Sequence, residues 1–226
     1  MFINVTAGTA APVSTSENLT NHPSRRYTRM AAQSPTVLPQ SGSNITLRIL
    51  DGCVVLYQEL SNGRRLILDN LGPGRILGDA FVEARHCRAA ALIASRIESI
   101  DAALGKDRID RAMRQMLSRA QADAMLLDRK TAHERVATAI LDLADQFARP
   151  SRMPANSGKT PFMLPLMRAE IVDWLDLTLE TVSRRFSAFM CARLIAIDHL
   201  EIITIRDRKG LEALADADLY VAARAA

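Results

Sequence analysis

Two short amphipathic segments near the C-terminus lie only three residues apart, and this spacing constrains the fold more than any other feature of the sequence. The first segment, 168–175, places apolar side chains at Ile171, Val172 and Leu175, and residues 176–178 separate it from the second. Two helices joined by such a short turn form a helix-turn-helix unit. The sequence therefore predicts this unit in the last third of the chain.

The second segment, which follows Thr178, separates into two faces on a helical wheel of about 100° per residue. Its apolar face carries Val182, Phe186, Phe189 and Met190. Its polar face carries Glu180, Ser183, Arg184 and Ser187. We expect the apolar face to pack and the polar face to remain free for binding. Thr178 is the expected N-cap, and backbone N–H groups at that end of the helix suit a phosphate.

The residues after these helices predict a wing. Short β-branched runs lie on either side of His199, and the run up to residue 214 ends in a helical pattern. We interpret them as a β-hairpin followed by a terminal helix, because β-branched residues favour strands. The C-terminal part is thus a winged helix-turn-helix.

Between residues 45 and 74, strand-like apolar runs alternate with turn residues. Asp51-Gly52 and Asn62-Gly63 separate the runs, and Gly72-Pro73-Gly74 closes the last one. Both pairs favour hairpins with type I′ turns, whose two central residues need positive φ. The sequence predicts a β-meander here, and a weaker apolar stretch from 88 to 104 completes a small β-domain.

A helical pattern follows between 107 and 129. Its apolar residues are spaced alternately by four and three, as in a short coiled coil; they are Ile109, Met113, Met116, Ala120 and Leu127. Asp123 occupies the remaining heptad position, with Ala124 beside it. We interpret the stripe as a dimer interface, and the alternative is a helix packed on its own β-domain. A second helix follows a break near 130–131, and residues 150–161 read as a polar linker or loop.

Composition narrows the class of protein without deciding it. The 226 residues carry a formal net charge of +4, which permits a polyanionic partner without requiring one. Three widely spaced cysteines give neither a disulfide framework nor a CxxC metal motif, so we expect a reducing cytoplasm. We find no signal peptide and no apolar run of about 20 residues for a membrane span. Segment 1–40, rich in Ser, Thr and Pro, is interpreted as a disordered arm.

Residues 164–195, LPLMRAEIVDWLDLTLETVSRRFSAFMCARLI, resemble the DNA-binding motif of the CRP/FNR superfamily of bacterial transcription regulators. The core ETVSR, residues 180–184, is similar to the FNR and FixK branch. The resemblance extends through HERVATAILDLA and, more loosely, through NGRRLILDNLGPGRILGD, which is similar to the family's β-roll sensor. Asp176 and Arg193 replace two of the motif's usual glycines. Asp tolerates the left-handed conformation better than Arg does, so an altered turn or wing remains an alternative.

The resemblance implies that Glu180, Ser183 and Arg184 contact base edges. The chemistry agrees, because arginine donates to guanine O6 and N7 and glutamate accepts from the cytosine amino group. The alternative is that Glu180 and Arg184, four residues apart, merely pair with each other. Phosphate contacts, which position a helix without specifying sequence, are expected from Arg168, Thr178, Thr181 and Arg185.

The sensor half predicts neither a cofactor nor a metal, and it leaves any small-molecule effector unidentified. Cyclic-nucleotide binders of the superfamily carry Gly-Glu and Arg-Ser or Arg-Thr pairs, whereas this chain has Gly78-Asp79 and Arg88-Ala89. The arm lacks the thiolates of an FNR-type iron-sulfur site. Haem ligation by His22, His86 or Cys87 and oxidation of Cys191 are alternatives, although packing or surface roles explain these residues more simply.

The sequence contains no catalytic constellation, and we predict that the chain is not an enzyme. Residues 157–160, SGKT, are similar to the end of a phosphate-binding loop. Met153, however, stands where the first glycine belongs, and Pro161 where the helix should continue. The four histidines suggest no pairing of a nucleophile with a base.

These features predict an α+β protein of four parts: a disordered arm (1–40), a cyclic-nucleotide-binding-like β-roll sensor (41–106), a long dimerisation helix (107–130) and a winged helix-turn-helix domain (131–226). The resemblance implies a cytoplasmic homodimer that contacts RNA polymerase. It also implies a palindrome in double-stranded DNA with TTGAT-like half-sites about one helical turn apart. Activation or repression is left open. The alternative function is a ligand-binding signalling module with weak or lost DNA recognition.

Overall fold

The computed structural model describes residues 27–32, 34–36, 45–78, 87–101, 106–148, 160–198 and 201–216. The N-terminal strands are β1 (Tyr27–Met30), β2 (Ser34–Thr36), β3 (Ile45–Asp51), β4 (Val54–Glu59), β5 (Arg65–Leu71), β6 (Ile76–Gly78), β7 (Cys87–Ala91) and β8 (Ser95–Asp101). The C-terminal elements are α1 (Lys106–Arg129), α2 (Ala132–Phe147), β9 (Thr160–Met163), α3 (Arg168–Leu175), α4 (Leu179–Cys191), β10 (Ile195–Ile197), β11 (Ile202–Ile205) and α5 (Arg208–Ala215). Among the described helices, none combines the length and apolar character that a membrane crossing requires.

The eight N-terminal strands form two four-stranded antiparallel sheets, in the orders β1-β8-β3-β6 and β2-β7-β4-β5. Ile49 and Ile97 of the first sheet pack with Val54 and Leu56 of the second in one buried cluster. This arrangement confirms the predicted β-roll.

The prediction of a hairpin at Asp51-Gly52 is wrong. The flanking strands β3 and β4 belong to different sheets, so this pair forms a corner at which the chain passes from one sheet to the other. Gly52 has φ of 95°, and a Cβ there would lie 2.2 Å from the hydroxyl oxygen of Ser95. The Asp-Gly signal thus marks a position that requires glycine, but strand pairing decides that the region is a roll and not a meander.

The predicted hairpin at Asn62-Gly63 is confirmed, because β4 pairs antiparallel with β5. Its turn differs from type I′: Gly63 has φ of 76°, whereas Asn62 is not among the residues with positive φ. The Leu60 N–H donates to the Arg64 carbonyl at 2.8 Å, and the Gly63 N–H donates to the Leu60 carbonyl at 2.9 Å. This is the three-residue hairpin loop in which glycine takes the left-handed position.

Two strands lie within segment 1–40, which the sequence analysis interprets as a disordered arm. β1 pairs with β8 and β2 pairs with β7, so residues 27–30 and 34–36 add an outer strand to each sheet. The interpretation is wrong for these residues, and residues 1–26 lie outside the described part. Backbone pairing attaches such short edge strands, so their side chains need not show a strong hydrophobic pattern.

One face of α1 packs against the β-roll. Leu126 is 5% exposed, and Met116 packs against the cluster between the two sheets. Arg119 forms an ion pair with Asp69 of β5, with 2.7 Å between the nitrogen and the oxygen. Met116, which the heptad pattern assigns to a dimer interface, therefore lies against its own β-roll.

A different apolar stripe remains open on α1. Leu117 is 61% exposed, Ala120 and Ala124 are also exposed, and Leu127 is half-buried. These four residues keep the alternating heptad spacing, with Leu117 in place of Met116 and Ala124 in place of Asp123. We call them the open stripe. Ile109 and Met113 belong to α1, but their side chains lie outside the described part.

Asp123 lies half-buried where α1 meets the β-roll and α2. Burial raises its pKa from 3.8 to about 6; Asp69 and Asp142 add to the rise, and Arg119 opposes it. Protonation of this carboxyl is therefore more favourable in the folded state than in the unfolded state. Because the folded-state pKa lies above the unfolded value, stability falls as pH rises through this window and stays low above it.

We expect Asp123→Asn to stabilise the protein at neutral pH, because the amide cannot ionise. The full pKa difference corresponds to about 3 kcal/mol, and solvent screening of this half-buried group reduces the expected gain to about 1–2 kcal/mol. Urea unfolding at one protein concentration should show a larger gain at about pH 7 than at about pH 4. Asp128→Asn, which changes an exposed carboxyl on the same helix, is the control. An equal gain from Asp123→Asn at both pH values would contradict the assignment.

The C-terminal domain packs α2 to α5 against a three-stranded sheet of order β10-β11-β9. Thr131 and Glu134 form a capping box that starts α2, at the break expected near 130–131. β10 and β11 pair antiparallel, as expected for the wing. β9 pairs with β11 and begins inside segment 150–161, so the prediction of a loop is wrong at the end of this segment. With four residues, β9 is too short to show a strand pattern in the sequence.

Candidate nucleic-acid interface

The helix-turn-helix is formed by α3 and α4, and its turn depends on Asp176. This residue adopts the left-handed conformation with φ of 48° and ψ of 53°, and its N–H donates to the Val172 carbonyl. Asp is among the non-glycine residues that tolerate this conformation best. The turn therefore keeps a left-handed backbone although glycine is absent.

The C-terminal end of α4 keeps a left-handed residue as well. Arg193 has φ of 58°. Its N–H donates to the Met190 carbonyl at 3.0 Å, and the Leu194 N–H donates to the Phe189 carbonyl at 3.0 Å. These two hydrogen bonds define a Schellman motif, whose left-handed position is usually glycine. Arginine occupies it here at a cost of about 1–2 kcal/mol, so the helix end and the start of the wing keep this geometry.

The three side chains expected to contact bases share one open face of α4. Glu180, Ser183 and Arg184 are exposed, whereas Val182 and Phe186 are buried beneath them. An Arg184 nitrogen lies 2.5 Å from a Glu180 carboxylate oxygen, and both side chains are more than 70% exposed. So exposed an ion pair adds little stability. Both side chains can therefore give up this ion pair and bind groups outside the chain instead.

Thr178 and Thr181 lie at the N-terminal end of α4. The Thr178 hydroxyl accepts a hydrogen bond from the Thr181 N–H at 3.2 Å, which confirms Thr178 as the N-cap. The two hydroxyl oxygens are 2.8 Å apart. The positive end of the helix dipole and these two hydroxyls offer donors suited to a phosphate.

Arg168 and Arg185, the other two residues expected at phosphates, are half-buried between helices. The Arg168 guanidinium carbon lies 3.7 Å from the centre of the Phe186 ring, and burial lowers the pKa of this group. An Arg185 nitrogen lies 3.4 Å from Nδ1 of His133, whose ring packs on Phe189. Of the four residues expected at phosphates, Thr178 and Thr181 thus lie at the open end of α4. Phosphate contact by Arg168 and Arg185 stays a prediction.

Arg193 and Arg206 are exposed cations that the sequence analysis does not assign to the interface. Arg193 lies just beyond the C-terminal end of α4, and Arg206 follows β11, the second strand of the wing. The sequence feature that could have identified them is their position at the two ends of the predicted wing, where a basic residue can approach the DNA backbone.

The described part of the β-roll offers little that suits a cyclic nucleotide. Gly78 ends β6, and Asp79 and His86 lie outside the described residues, as does His22. Arg88 pairs with Glu59 at the surface, and Ala89 brings no hydroxyl. An apolar cavity of about 380 Å³ separates α1 from β5, and its charged lining residues are Asp69 and Asp123. Two carboxyl groups would repel a phosphate.

The three cysteines differ in burial and therefore in the reactivity of their thiols. Burial raises the pKa of Cys53 to about 12, and burial also raises that of Cys87, so both thiols are poor nucleophiles. Cys191 is exposed at the end of α4. The part of the chain that the structure describes contains no group of three side chains placed to hold a metal ion.

Comparison with known proteins agrees with this geometry. Residues 134–214 match the Crp-like helix-turn-helix domain. The nitrogen fixation regulation protein FixK of Bradyrhizobium diazoefficiens is 32% identical over 179 residues, which cover 75% of this chain and 73% of that protein. The chain belongs to the CRP/FNR family, in its FixK branch. The transcriptional activatory protein AadR of Rhodopseudomonas palustris is 31% identical over 180 residues, covering 75% of this chain and 72% of AadR.

The overall fold of this FixK-branch regulator is also similar to solved structures. FixK2 from Bradyrhizobium japonicum superimposes with a TM-score of 0.69 at 26% identity, covering 84% of this chain and 96% of FixK2. A CRP/FNR-family regulator of Thermus thermophilus gives a TM-score of 0.66 at 23% identity, covering 84% of this chain and 98% of the other, which supports the fold. The chain is therefore a DNA-binding transcription regulator.

Proposed function

We propose that the regulator binds a palindromic site with TTGAT-like half-sites and reads each half-site with Glu180, Ser183 and Arg184. The observation that carries this proposal is the shared open face of these three side chains on α4. An α-helix fits the major groove, where arginine identifies guanine by a bidentate contact and glutamate accepts from cytosine. Thr178 and Thr181 would hold the helix to a phosphate, with Arg168 and Arg185 as further phosphate contacts after local rearrangement.

The proposed binding form is a homodimer joined through the open stripe of α1. A palindrome needs two recognition helices about 34 Å apart, which a two-fold axis along paired helices supplies. Leu117, Ala120 and Ala124 are exposed at heptad spacing, and an apolar heptad stripe is what paired helices bury. Ile109 and Met113, which the sequence pattern places on the same helix, would extend the interface.

We further propose that the dimer contacts RNA polymerase when bound upstream of a promoter, as a cytoplasmic regulator without enzymatic activity. The match to the Crp-like helix-turn-helix domain and the relatives named as transcription regulators favour DNA recognition over a signalling module that has lost it.

Equilibrium binding to short duplexes tests the proposal. We expect the purified protein to bind TTGAT-N4-ATCAA at least about a thousandfold more tightly than a scrambled duplex at the same salt concentration, the usual lower range for specific regulators. A duplex with one half-site is the matched control and should bind much more weakly. Equal affinity for all three duplexes would contradict specific recognition.

A further inference from the structure

A second cavity, of about 290 Å³, lies between α1 and the side of the first sheet that contains β3 and the edge strand β6. Its charged lining residues are Arg48, Arg75, Arg111 and Arg119, and Gln115 lies beside them. Among the described residues that line it, none carries a carboxylate. Four arginine side chains from β3, α1 and the turn before β6 thus meet around one polar space.

Two of these arginines have an ion-pair partner and still keep an unsatisfied donor. Arg48 pairs with Glu98 at 2.5 Å, and Arg119 pairs with Asp69 at 2.7 Å. The Nε atoms of both arginines are buried without a hydrogen-bond partner among the described residues. A buried donor without an acceptor destabilises the folded protein. A ligand that brings acceptor atoms to this wall of the cavity would therefore be favoured.

Arg75 has no ion-pair partner among the described residues, although it is half-buried. Burial lowers its pKa, the positive charge of Arg119 lowers it further, and the negative charges of Asp69 and Asp142 oppose the change. A desolvated cation without a counter-ion is unfavourable. An anion placed in the cavity would compensate this charge and that of Arg111, which is exposed on α1.

We propose that this cavity binds a small oxyanion with at least two negative charges, held chiefly by Arg75 and Arg111. Guanidinium groups bind phosphate and carboxylate oxygens through paired, charge-assisted hydrogen bonds. The cavity volume of about 290 Å³ fits a small metabolite rather than a polymer. The ligand class is therefore a phosphate ester or a polycarboxylate of metabolite size.

This site is separate from the other two surfaces of the regulator. Arg111, Gln115 and Arg119 repeat every four residues along one side of α1, whereas Leu117, Ala120 and Ala124 follow another side. The apolar cavity beside β5 has carboxyl groups in its wall and lies on the side of Ala120. A bound anion would connect α1 to the turn between β5 and β6, and its binding does not depend on DNA.

Ligand titrations of the full chain test the proposal. Pyrophosphate and citrate are each titrated by calorimetry and by thermal unfolding, at an ionic strength held constant with chloride. We expect saturable binding and a higher melting temperature with at least one of the two. Arg75→Gln and Arg111→Gln should each weaken binding by about tenfold or more, because each removes a charge-assisted contact.

Arg114→Gln is the matched control, since it removes an exposed arginine of the same helix that does not line the cavity; binding should be retained. Without anion, we expect Arg75→Gln to be at least as stable as the unmodified protein in thermal unfolding. If Arg75 served only the fold, its replacement would lower the melting temperature. Binding of pyrophosphate alone would indicate a phosphate ligand, and binding of citrate alone a polycarboxylate. The proposal is overturned if neither probe exceeds the effect of chloride, or if Arg114→Gln weakens binding as much as Arg75→Gln.

Discussion

Leu117→Glu is expected to convert the dimer into monomers and to reduce operator affinity by roughly a hundredfold or more. In a dimer joined through the open stripe, two glutamates would face each other in an apolar interface, and an uncompensated buried charge costs about 3–5 kcal/mol. In the isolated chain the side chain at this position is 61% exposed, so each monomer should still fold. Sedimentation velocity gives the oligomeric state, and anisotropy on the palindromic duplex gives the affinity.

Ser118→Glu is the control, because it adds the same charge to the neighbouring exposed position of α1. The helical wheel turns residue 118 away from the open stripe, so this variant should stay dimeric. Met116→Asp, which the heptad pattern would suggest, is unsuitable because Met116 packs on the β-roll core and its loss would affect folding. A dimeric Leu117→Glu variant would show that the open stripe is not the interface.

Arg184→Ala is expected to remove sequence discrimination while leaving binding to random DNA nearly unchanged. A bidentate arginine–guanine contact contributes about 1–3 kcal/mol of discrimination, so preference for the guanine-containing half-site should fall by about ten- to a hundredfold. Glu180 loses its intrahelical partner in this variant, but such an exposed pair is worth little to stability. The measurement compares the consensus duplex with a guanine-substituted duplex at two salt concentrations.

Arg193→Ala is the matched control, since it removes the same charge from an exposed residue just after the same helix. Alanine also has a Cβ, so the left-handed backbone at this position carries a similar cost in both proteins. A phosphate contact acts through counterion release, so this variant should weaken all sequences alike or not at all, and any loss should flatten the salt dependence. If Arg184→Ala weakened both duplexes equally, Arg184 would contact the backbone rather than a base.

The recognition helix could be predicted because its signals are local. Thr178 as N-cap, the apolar Val182 and Phe186, and the polar Glu180 and Arg184 all lie within nine residues. Helical periodicity alone assigns these side chains to opposite faces. The apolar face also needs neighbouring elements to pack against, and α2 and α3 provide them.

The dimer helix shows where the same periodicity is insufficient. Two overlapping heptad patterns run along α1, one through Met116 and Asp123 and the other through Leu117 and Ala124. Both satisfy the spacing rule. The β-roll covers Met116 and leaves Leu117 open, so the choice depends on which face the neighbouring sheet takes.

The sequence by itself determined the helix-turn-helix, the wing hairpin that follows it and the glycine-dependent bends. It could not determine that Asp51-Gly52 joins two sheets instead of two paired strands, because pairing depends on distant partners such as β8. Nor could it show that Arg168 and Arg185 lie between helices, since Phe186 and His133, their respective partners, are 18 and 52 residues away. The four-arginine cavity likewise exists only after folding, when β3, the turn before β6 and α1 bring together charges that the sequence separates. Local propensities act over a few residues, whereas burial and charge compensation depend on contacts that only the complete tertiary structure creates.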